Sequence, residues 1–278
     1  LSGYCHGFDF GEIENWNSFG RYVTSEGKEH FVVQKEITLG KENAGPKVGP
    51  LIISEIMYNQ QNNHEYIEIK NISNEAIRLY DPKNPQNTWR VGGVAFDFPE
   101  NFSIPIGGVI LLVKNNISIN EFKNLYNVPD SIKIFSDTGS LSNSGETVTI
   151  YKPAEPYLDT SETSIDTIVP YMIIDRVRYN DKSPWPTDPD GNGTALERKA
   201  LGSYGNDPSN WRSKKGTPGI VPIHISLKDI KKYIPHFYIS AESLKSPFIS
   251  IYFNLEKNGS VSLDLLSTKG RYIKKVYG

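Results

Sequence analysis

Residues 51–71 read LIISEIMYNQQNNHEYIEIKN, two strand-like runs joined by a polar, Asn-rich connection. In the second run, apolar and charged residues alternate from Ile67 to Lys70, which is the period-two pattern of a half-buried β-strand. The first run alternates less cleanly, but it is rich in Ile and contains no strand breaker. The stretch therefore predicts a β-hairpin that opens a domain.

Further strands follow along the chain. Residues 109–113, VILLV, are apolar throughout and predict a strand that is buried on both faces. Val148 and Ile150 are predicted to face inward from the run ETVTIY, and residues 173–179 supply another strand. Between these runs, residues 154–170 are predicted to form a polar loop.

One short helix is predicted in this β-rich chain. Ser118 is suited to be its N-cap, and Glu121 stands three residues later as the capping-box partner. Pro129 is expected to end the helix. Its apolar face is predicted to consist of Ile119, Phe122, Leu125 and Tyr126.

The C-terminal residues predict a second hairpin. Apolar residues alternate with polar ones in 249–255 and 261–265, and the turn signal KNG lies between them at 257–259. An isolated two-stranded hairpin is marginally stable in water, so another surface or strand is expected to cover its apolar face. The apolar positions are Ile249, Ile251, Phe253, Leu255, Val261, Leu263 and Leu265.

Several motifs, taken in order, resemble the bacterial lamin tail domain. They are ISEIMYN (53–59), EYIEIKN (65–71), Trp89, GSLSNSGETV (139–148), DRVRYNDKSPWP (175–186), NDPSNW (206–211) and GTPG (216–219). The resemblance implies an all-β protein with an immunoglobulin-like β-sandwich, the lamin tail domain, over residues 51–219. Partial β modules are expected on both sides of it.

The flanking segments define the expected domain organisation. Residues 1–45 repeat the order of motifs at the end of the main domain, so we interpret them as the C-terminal part of a preceding lamin-tail-like unit. An unrelated extended lead-in is the alternative. Residues 223–278 resemble a partial immunoglobulin-like module of the hook-capping or type IX sorting kind. Because the chain opens at Leu1 without an initiator Met, a fragment or processed product is expected.

Composition narrows the classes of function. The length of 278 residues suggests two or three units. A formal charge of -2 with a pI near 6.3 disfavours non-specific binding of nucleic acid. A single cysteine, Cys5, excludes an internal disulfide framework and a Cys-based zinc cluster. No apolar run approaches the length of a membrane span.

Two motifs that could suggest catalysis are better explained structurally. His64 and Glu65 resemble half of a zinc-protease motif, but the second His is absent and strand periodicity would point Glu65 and Glu68 to different faces. Ser142 and Ser144 lack a nucleophile elbow, and their segment is expected to be a turn.

A third motif allows two interpretations. Asp188, Asp190 and Asn192 occupy positions one, three and five of an oxygen-rich calcium loop, and Gly193 occupies position six. Position twelve is Lys199 rather than Glu, so a plain turn is favoured, and calcium is the alternative cofactor.

The four tryptophans could form a carbohydrate platform, although core or rim packing is favoured for Trp16, Trp89, Trp185 and Trp211.

The resemblance implies a function without catalysis. The first hypothesis is a secreted or cell-surface structural or adhesive module that self-associates or packs on neighbouring domains. In its strongest form, this hypothesis predicts a homo-oligomer or filament with the terminal segments at the contacts. The second hypothesis is an accessory domain that targets polysaccharide or DNA for a larger secreted enzyme. Either way, an extracellular or cell-surface location is expected.

Overall fold

The computed structural model describes residue 8, residues 11–60, 62, 64–160 and 166–219, and the backbone of four C-terminal segments, 237–239, 251–253, 263–266 and 272–277. The chain divides into two compact units, residues 1–220 and 221–278. The described part contains one α-helix, α1 (Ile119–Tyr126), a short 3-10 helix at Pro208–Asn210, and many strands. The all-β fold class is therefore confirmed.

The strands of the first unit are β1 (Phe19–Val23), β2 (Glu29–Val33), β3 (Leu51–Met57), β4 (Tyr66–Asn71), β5 (Ile77–Arg78), β6 (Arg90–Gly92), β7 (Phe96–Asp97), β8 (Ser103–Ile104), β9 (Val109–Lys114), β10 (Lys133–Thr138), β11 (Gly145–Pro153), β12 (Tyr157–Asp159), β13 (Asp166–Ile168), β14 (Tyr171–Asn180), β15 (Thr194–Arg198) and β16 (Trp211–Lys215).

Two sheets form the body of the first unit. The six-stranded sheet has the order β10-β9-β4-β3-β15-β16, and the four-stranded sheet has the order β14-β11-β6-β7. All neighbours in these sheets are antiparallel except β10 and β9, which are parallel. The predicted hairpin of β3 and β4 is confirmed and forms the centre of the larger sheet.

The main core lies between these two sheets. Ile67 and Ile69 of the six-stranded sheet and Val148 and Ile150 of the four-stranded sheet belong to one buried cluster. The two inward positions predicted on β11 are thus confirmed, since both side chains are fully buried. Face-to-face burial of apolar side chains from two sheets is what stabilises a β-sandwich.

A β-bulge explains the uneven alternation of the first run. The register of β3 against β4 shifts between Ile53 and Glu55. Before the shift Leu51 and Ile53 face the main core, and after it Ile56 does so. An extra residue in one strand changes which face the following side chains occupy. The bulge therefore places Glu55 on the outer face of the sheet.

The outer face of the six-stranded sheet carries a second core. It consists of Met57, Tyr66, Leu111, Val113, Phe122, Val128, Ile134 and Ala195. The strand β9 contributes to both cores, so its predicted burial on both faces is confirmed. The prediction that β4 is half-buried was wrong, because every residue of the strand is buried, including Glu68 and Lys70.

Helix α1 covers part of this outer face. Its Ser118 N-cap and Glu121 form the predicted capping box. Phe122 is fully buried, but Leu125 is half exposed, so the predicted apolar face is wrong at that residue. Asn127, in the left-handed conformation, caps the C-terminal end two residues before Pro129.

A hairpin arm replaces the predicted loop at 154–170. The ladder of β11 and β14 continues through the bond from Ala154 N to Pro170 O, and β12 then pairs with β13. The prediction of a polar loop was therefore wrong for the described part of this segment. Tyr157 and Leu158 on β12 are 53% and 65% exposed, so the arm presents apolar groups to solvent.

The N-terminal segment forms a separate two-stranded sheet of β1 and β2. Ser25 N, in the turn between them, donates to Asp207 Oδ2 at 2.9 Å, and the Ser25 hydroxyl donates to the same carboxylate. His30 Nδ1 lies 3.1 Å from the Tyr204 hydroxyl. These contacts attach the segment to the loop that precedes β16. Whether it is a repeat of the main domain stays a prediction.

The second unit is described only by four strands: β17 (Phe237–Ile239), β18 (Ile251–Phe253), β19 (Leu263–Leu266) and β20 (Tyr272–Tyr277). In the described residues, β17 pairs with β18 and β19 pairs with β20, both antiparallel. The predicted pairing of 249–255 with 261–265 is not among these ladders. Its turn at 257–259 lies outside the described residues.

A buried ion pair joins the two sheets. Asp175 belongs to β14 of the four-stranded sheet and Arg198 to β15 of the six-stranded sheet, and Arg198 Nη2 lies 3.0 and 2.7 Å from the two carboxylate oxygens. Ile53 N of β3 donates to Asp175 Oδ2 at 2.8 Å. Gly205 leaves room for the pair, since a Cβ there would lie 1.9 Å from Arg198 Nη2.

We expect Asp175→Asn to destabilise the protein by about 3–5 kcal/mol, because it leaves the buried guanidinium of Arg198 without a counter-charge. Urea unfolding would measure the difference. Glu155→Gln, which removes one partner of the exposed pair with Lys83, is the control and should change stability little. A loss below about 1 kcal/mol in Asp175→Asn would contradict the importance of the pair.

Candidate functional site

A cleft of about 540 Å³ lies on the outer face of the four-stranded sheet, and we call it the Arg90 cleft. Arg90 is one of its lining residues, and the carbon of the guanidinium lies 3.6 Å from the ring centroid of Tyr171 and 5.3 Å from that of Tyr151. The cleft is lined by Arg90, Val91, Gly92, Ala95, Phe96, Asp97, Tyr151, Val169 and Tyr171.

The strand register brings these side chains together. Arg90 is directly opposite Tyr151 of β11 on one side and Asp97 of β7 on the other. Val91 and Phe96 point into the main core, so their neighbours Arg90 and Asp97 point outward. The Tyr171 hydroxyl donates to Thr88 O at 3.4 Å, a long bond that helps to orient the ring.

Arg90 is free to bind a ligand. Its side chain is exposed, and no carboxylate in the described residues forms an ion pair with it. Stacking on aromatic rings engages the flat faces of a guanidinium and leaves the N–H donors in its plane for an acceptor. The arrangement can therefore bind an anionic or hydroxyl-bearing group.

A larger cleft, about 930 Å³, borders residues 47–50, 75–83 and 152–155. Three of its charged residues are already paired with one another, because Lys47 and Lys152 donate to the two oxygens of Glu14 at 3.0 and 2.6 Å. The bond from Lys152 is the largest of the effects that lower the pKa of Glu14 to about 2. We therefore regard this cleft as the attachment site of the N-terminal segment.

The buried carboxylates of the central hairpin hold a distant loop. Glu55 accepts from the Tyr66 hydroxyl and, at 2.8 Å, from Thr217 N. Its cross-strand partner Glu68 accepts from Ser54 Oγ at 2.7 Å and from Gly219 N at 2.8 Å. We call these contacts the carboxylate clasp. They fasten the GTPG segment to the outer face of the sheet.

Glu65 holds a second loop in a similar way. It accepts from Leu141 N at 2.6 Å and pairs with Lys114 at 2.6 Å. Glu65 and Glu68 thus bind different loops. Ser142 lies in the loop that Glu65 anchors, and its carbonyl accepts from the Tyr179 hydroxyl at 2.7 Å. The prediction of a structural turn for this segment is confirmed.

The possible calcium loop lies in a turn of the first unit. Asn59 Nδ2 donates to Asp190 Oδ1 at 2.6 Å, whereas Asp188 and Asn192 are exposed. Gly191 and Gly193 both have positive φ, as a turn requires. Within the described ranges, no group of three or more His, Cys, Asp or Glu side chains is arranged to hold a metal ion. Calcium binding at Asp188, Asp190 and Asn192 stays a prediction.

The tryptophans separate into two groups. Trp89, Trp185 and Trp211 are buried, and the core packing predicted for them is confirmed. Trp16 is 91% exposed, so the same prediction was wrong for this residue. The four indoles therefore form no common platform, and the aromatic rings of the Arg90 cleft come from tyrosines that the sequence analysis did not single out.

Comparisons with known proteins support the β-sandwich. The sequence model of the lamin tail domain family matches residues 44–170. The two sheets continue beyond the match, since β14, β15 and β16 all follow residue 170. The fold agrees with the immunoglobulin-like sandwich of this family, and the match indicates a structural or binding module rather than a catalytic one.

The other comparisons are less informative. A crystal structure of a DUF4876 family protein from Bacteroides thetaiotaomicron is similar over 75% of this chain and 83% of that chain, with 15% identity and a TM-score of 0.34. No curated protein matches the chain. The resemblance of residues 223–278 to a hook-capping or type IX sorting module is not tested by these comparisons and stays a prediction.

The carboxylate clasp predicts a pH-dependent stability. Burial raises the pKa of Glu68 from its ordinary value of 4.5 to about 7, and burial also raises the pKa of Glu55. A carboxyl with a raised folded-state pKa stabilises the fold most below its unfolded pKa, and this stability is lost as the pH rises through the folded pKa. Wild-type stability should therefore fall between about pH 4.5 and 7, by about 3 kcal/mol for Glu68.

Glu68→Gln should remove the contribution of Glu68 to this slope, because the amide stays neutral, and should leave the contribution of Glu55. Urea unfolding at several pH values between about 4.5 and 8 would measure it. Glu75→Gln removes an exposed carboxylate and should keep the wild-type slope. Glu14 acts with the opposite sign, but its lowered pKa confines the effect to pH values below about 4.5. An unchanged slope in Glu68→Gln would contradict the raised pKa of the buried Glu68 carboxyl.

Proposed function

We propose that this chain is a non-catalytic structural and adhesive module that is displayed at the cell surface or within an extracellular assembly. The observation that carries the proposal is the use of the buried carboxylates. Glu55, Glu65 and Glu68 each accept a hydrogen bond from a backbone N–H of a distant loop. Groups committed in this way stabilise a scaffold, and none of the three lines a cleft described above.

The attachment of the segments at both ends of the sandwich supports a structural role. Asp207 binds the turn between β1 and β2, and Glu14 ties the preceding residues to Lys152. At the other end of the sandwich, the carboxylate clasp binds Thr217 and Gly219. These bonds fix the segments that enter and leave the sandwich on its surface, as a structural role requires.

The Arg90 cleft supports a second candidate function, the targeting of polysaccharide for an attached enzyme. Aromatic rings beside an exposed cation suit a sugar ligand better than a nucleic acid, whose binding requires many phosphate contacts. The formal net charge of -2 supports the same choice.

The described residues contain no helix that is long and apolar enough to cross a membrane.

Surface display can be tested on intact cells of the source organism. An antibody against the purified chain should label unpermeabilised cells or recover the protein from the medium, and external protease should remove the cell-bound label. A cytoplasmic protein labelled in parallel is the control for leakage. Labelling that requires permeabilisation, with no protein in the medium, would contradict the proposal.

We also propose that the chain self-associates through its C-terminal unit. In the described residues β17 and β18 pair only with each other, and two-stranded sheets are marginally stable alone. Light scattering at micromolar concentration should give a multiple of 31.3 kDa.

Phe253→Lys should weaken this association, because Phe253 belongs to the apolar positions of the alternating run. Tyr252→Lys introduces the same charge at the adjacent alternate position and should weaken it less. A stable 31.3 kDa monomer of the wild-type chain would rule out the assembly.

A further inference from the structure

We infer that the Arg90 cleft binds a uronic acid residue of an acidic polysaccharide, with the sugar carboxylate on the guanidinium of Arg90. The inference rests on the second candidate function and specifies its ligand. It is carried by the stacking of Arg90 on Tyr171 and by the absence of an ion-pair partner for Arg90 within the described residues.

The geometry favours a carboxylate. Tyr171 lies in stacking contact with the guanidinium, and Tyr151 lies on the adjacent strand opposite Arg90. This environment restricts the side chain before a ligand arrives, so less conformational entropy is lost on binding. A planar guanidinium with free in-plane donors forms two parallel hydrogen bonds with a carboxylate. A lysine at the same position would act as a point charge.

Asp97 narrows the choice to a sugar acid. It is the cross-strand neighbour of Arg90 on the other side and lines the same cleft, and its carboxylate is exposed. An ionised carboxylate can only accept hydrogen bonds, so it suits sugar hydroxyls and repels a second anionic group. One cation beside one anion therefore matches a residue that carries one carboxylate and several hydroxyls. The same pair of charges disfavours a ligand with several adjacent phosphates.

The hairpin arm extends the surface for a polymer. Val169, at the edge of the cleft, follows β13 directly. Tyr157 of β12 pairs with Ile168 of β13 and exposes its ring. Aromatic and apolar side chains cover the flat, weakly polar faces of sugar rings. The arm thus offers a wall for sugar residues that adjoin the bound uronate.

The test is calorimetric titration of the full chain with a tetrasaccharide of galacturonic acid and with its neutral galactose counterpart. The wild-type protein should bind the acidic tetrasaccharide and bind the neutral one at least about tenfold more weakly. Arg90→Lys keeps the positive charge but loses the planar donors and should weaken binding by about tenfold. Lys83→Ala removes an exposed positive charge outside the cleft and should leave the affinity within about twofold.

Other outcomes would overturn the inference. Equal binding by Arg90→Lys and wild type would exclude Arg90 as the carboxylate-binding group, while targeting of polysaccharide would still stand. No binding of the acidic tetrasaccharide by a folded wild-type chain would exclude the uronate site and leave surface display untouched. Equal loss of affinity in Lys83→Ala would indicate unspecific attraction of charge. Tighter binding of a short DNA duplex than of the tetrasaccharide would assign the cleft to nucleic acid.

Discussion

The ion pair of Asp175 and Arg198 constrains the sandwich more than any single apolar contact. Two charges removed from water are stable only if each finds its partner, so the two sheets must meet at one distance and in one register. The bond from Ile53 N adds the β-bulge of β3 to this arrangement. Apolar side chains between sheets tolerate small shifts, whereas a buried carboxylate with three bonds does not. The pair therefore specifies the alignment that the apolar core stabilises.

The protein uses buried carboxylates to hold its loops as well as to join its sheets. The carboxylate clasp and Glu65 bind loops that arrive from distant parts of the chain, and each carboxylate satisfies backbone donors that would otherwise be buried without partners. The surface therefore remains available for binding. This division places stability inside the sheets and the proposed binding site on the outer face of β6, β7 and β11.

Local patterns in the sequence predicted the features whose causes are local. The capping box of Ser118 and Glu121 and the doubly buried strand β9 depend on adjacent residues and were predictable. The burial of Glu68 was not predictable, because its carboxylate is bound by Ser54 across the hairpin and by Gly219, far along the chain. The Arg90 cleft was missed for the same reason. Arg90, Tyr151 and Tyr171 meet only through strand pairing, and an exposed Arg before an apolar residue gives no local signal.

The strand order also has a consequence for how the protein is made. The central strand β3 pairs with β15 through Ile56 and Leu196, two positions separated by most of the first unit. Contacts between such distant positions require closure of a long loop, which slows folding. During synthesis, the apolar faces of β3 and β4 therefore remain incompletely covered until the ribosome has produced β15 and β16. A nascent chain of this kind is prone to aggregate until those strands have been made.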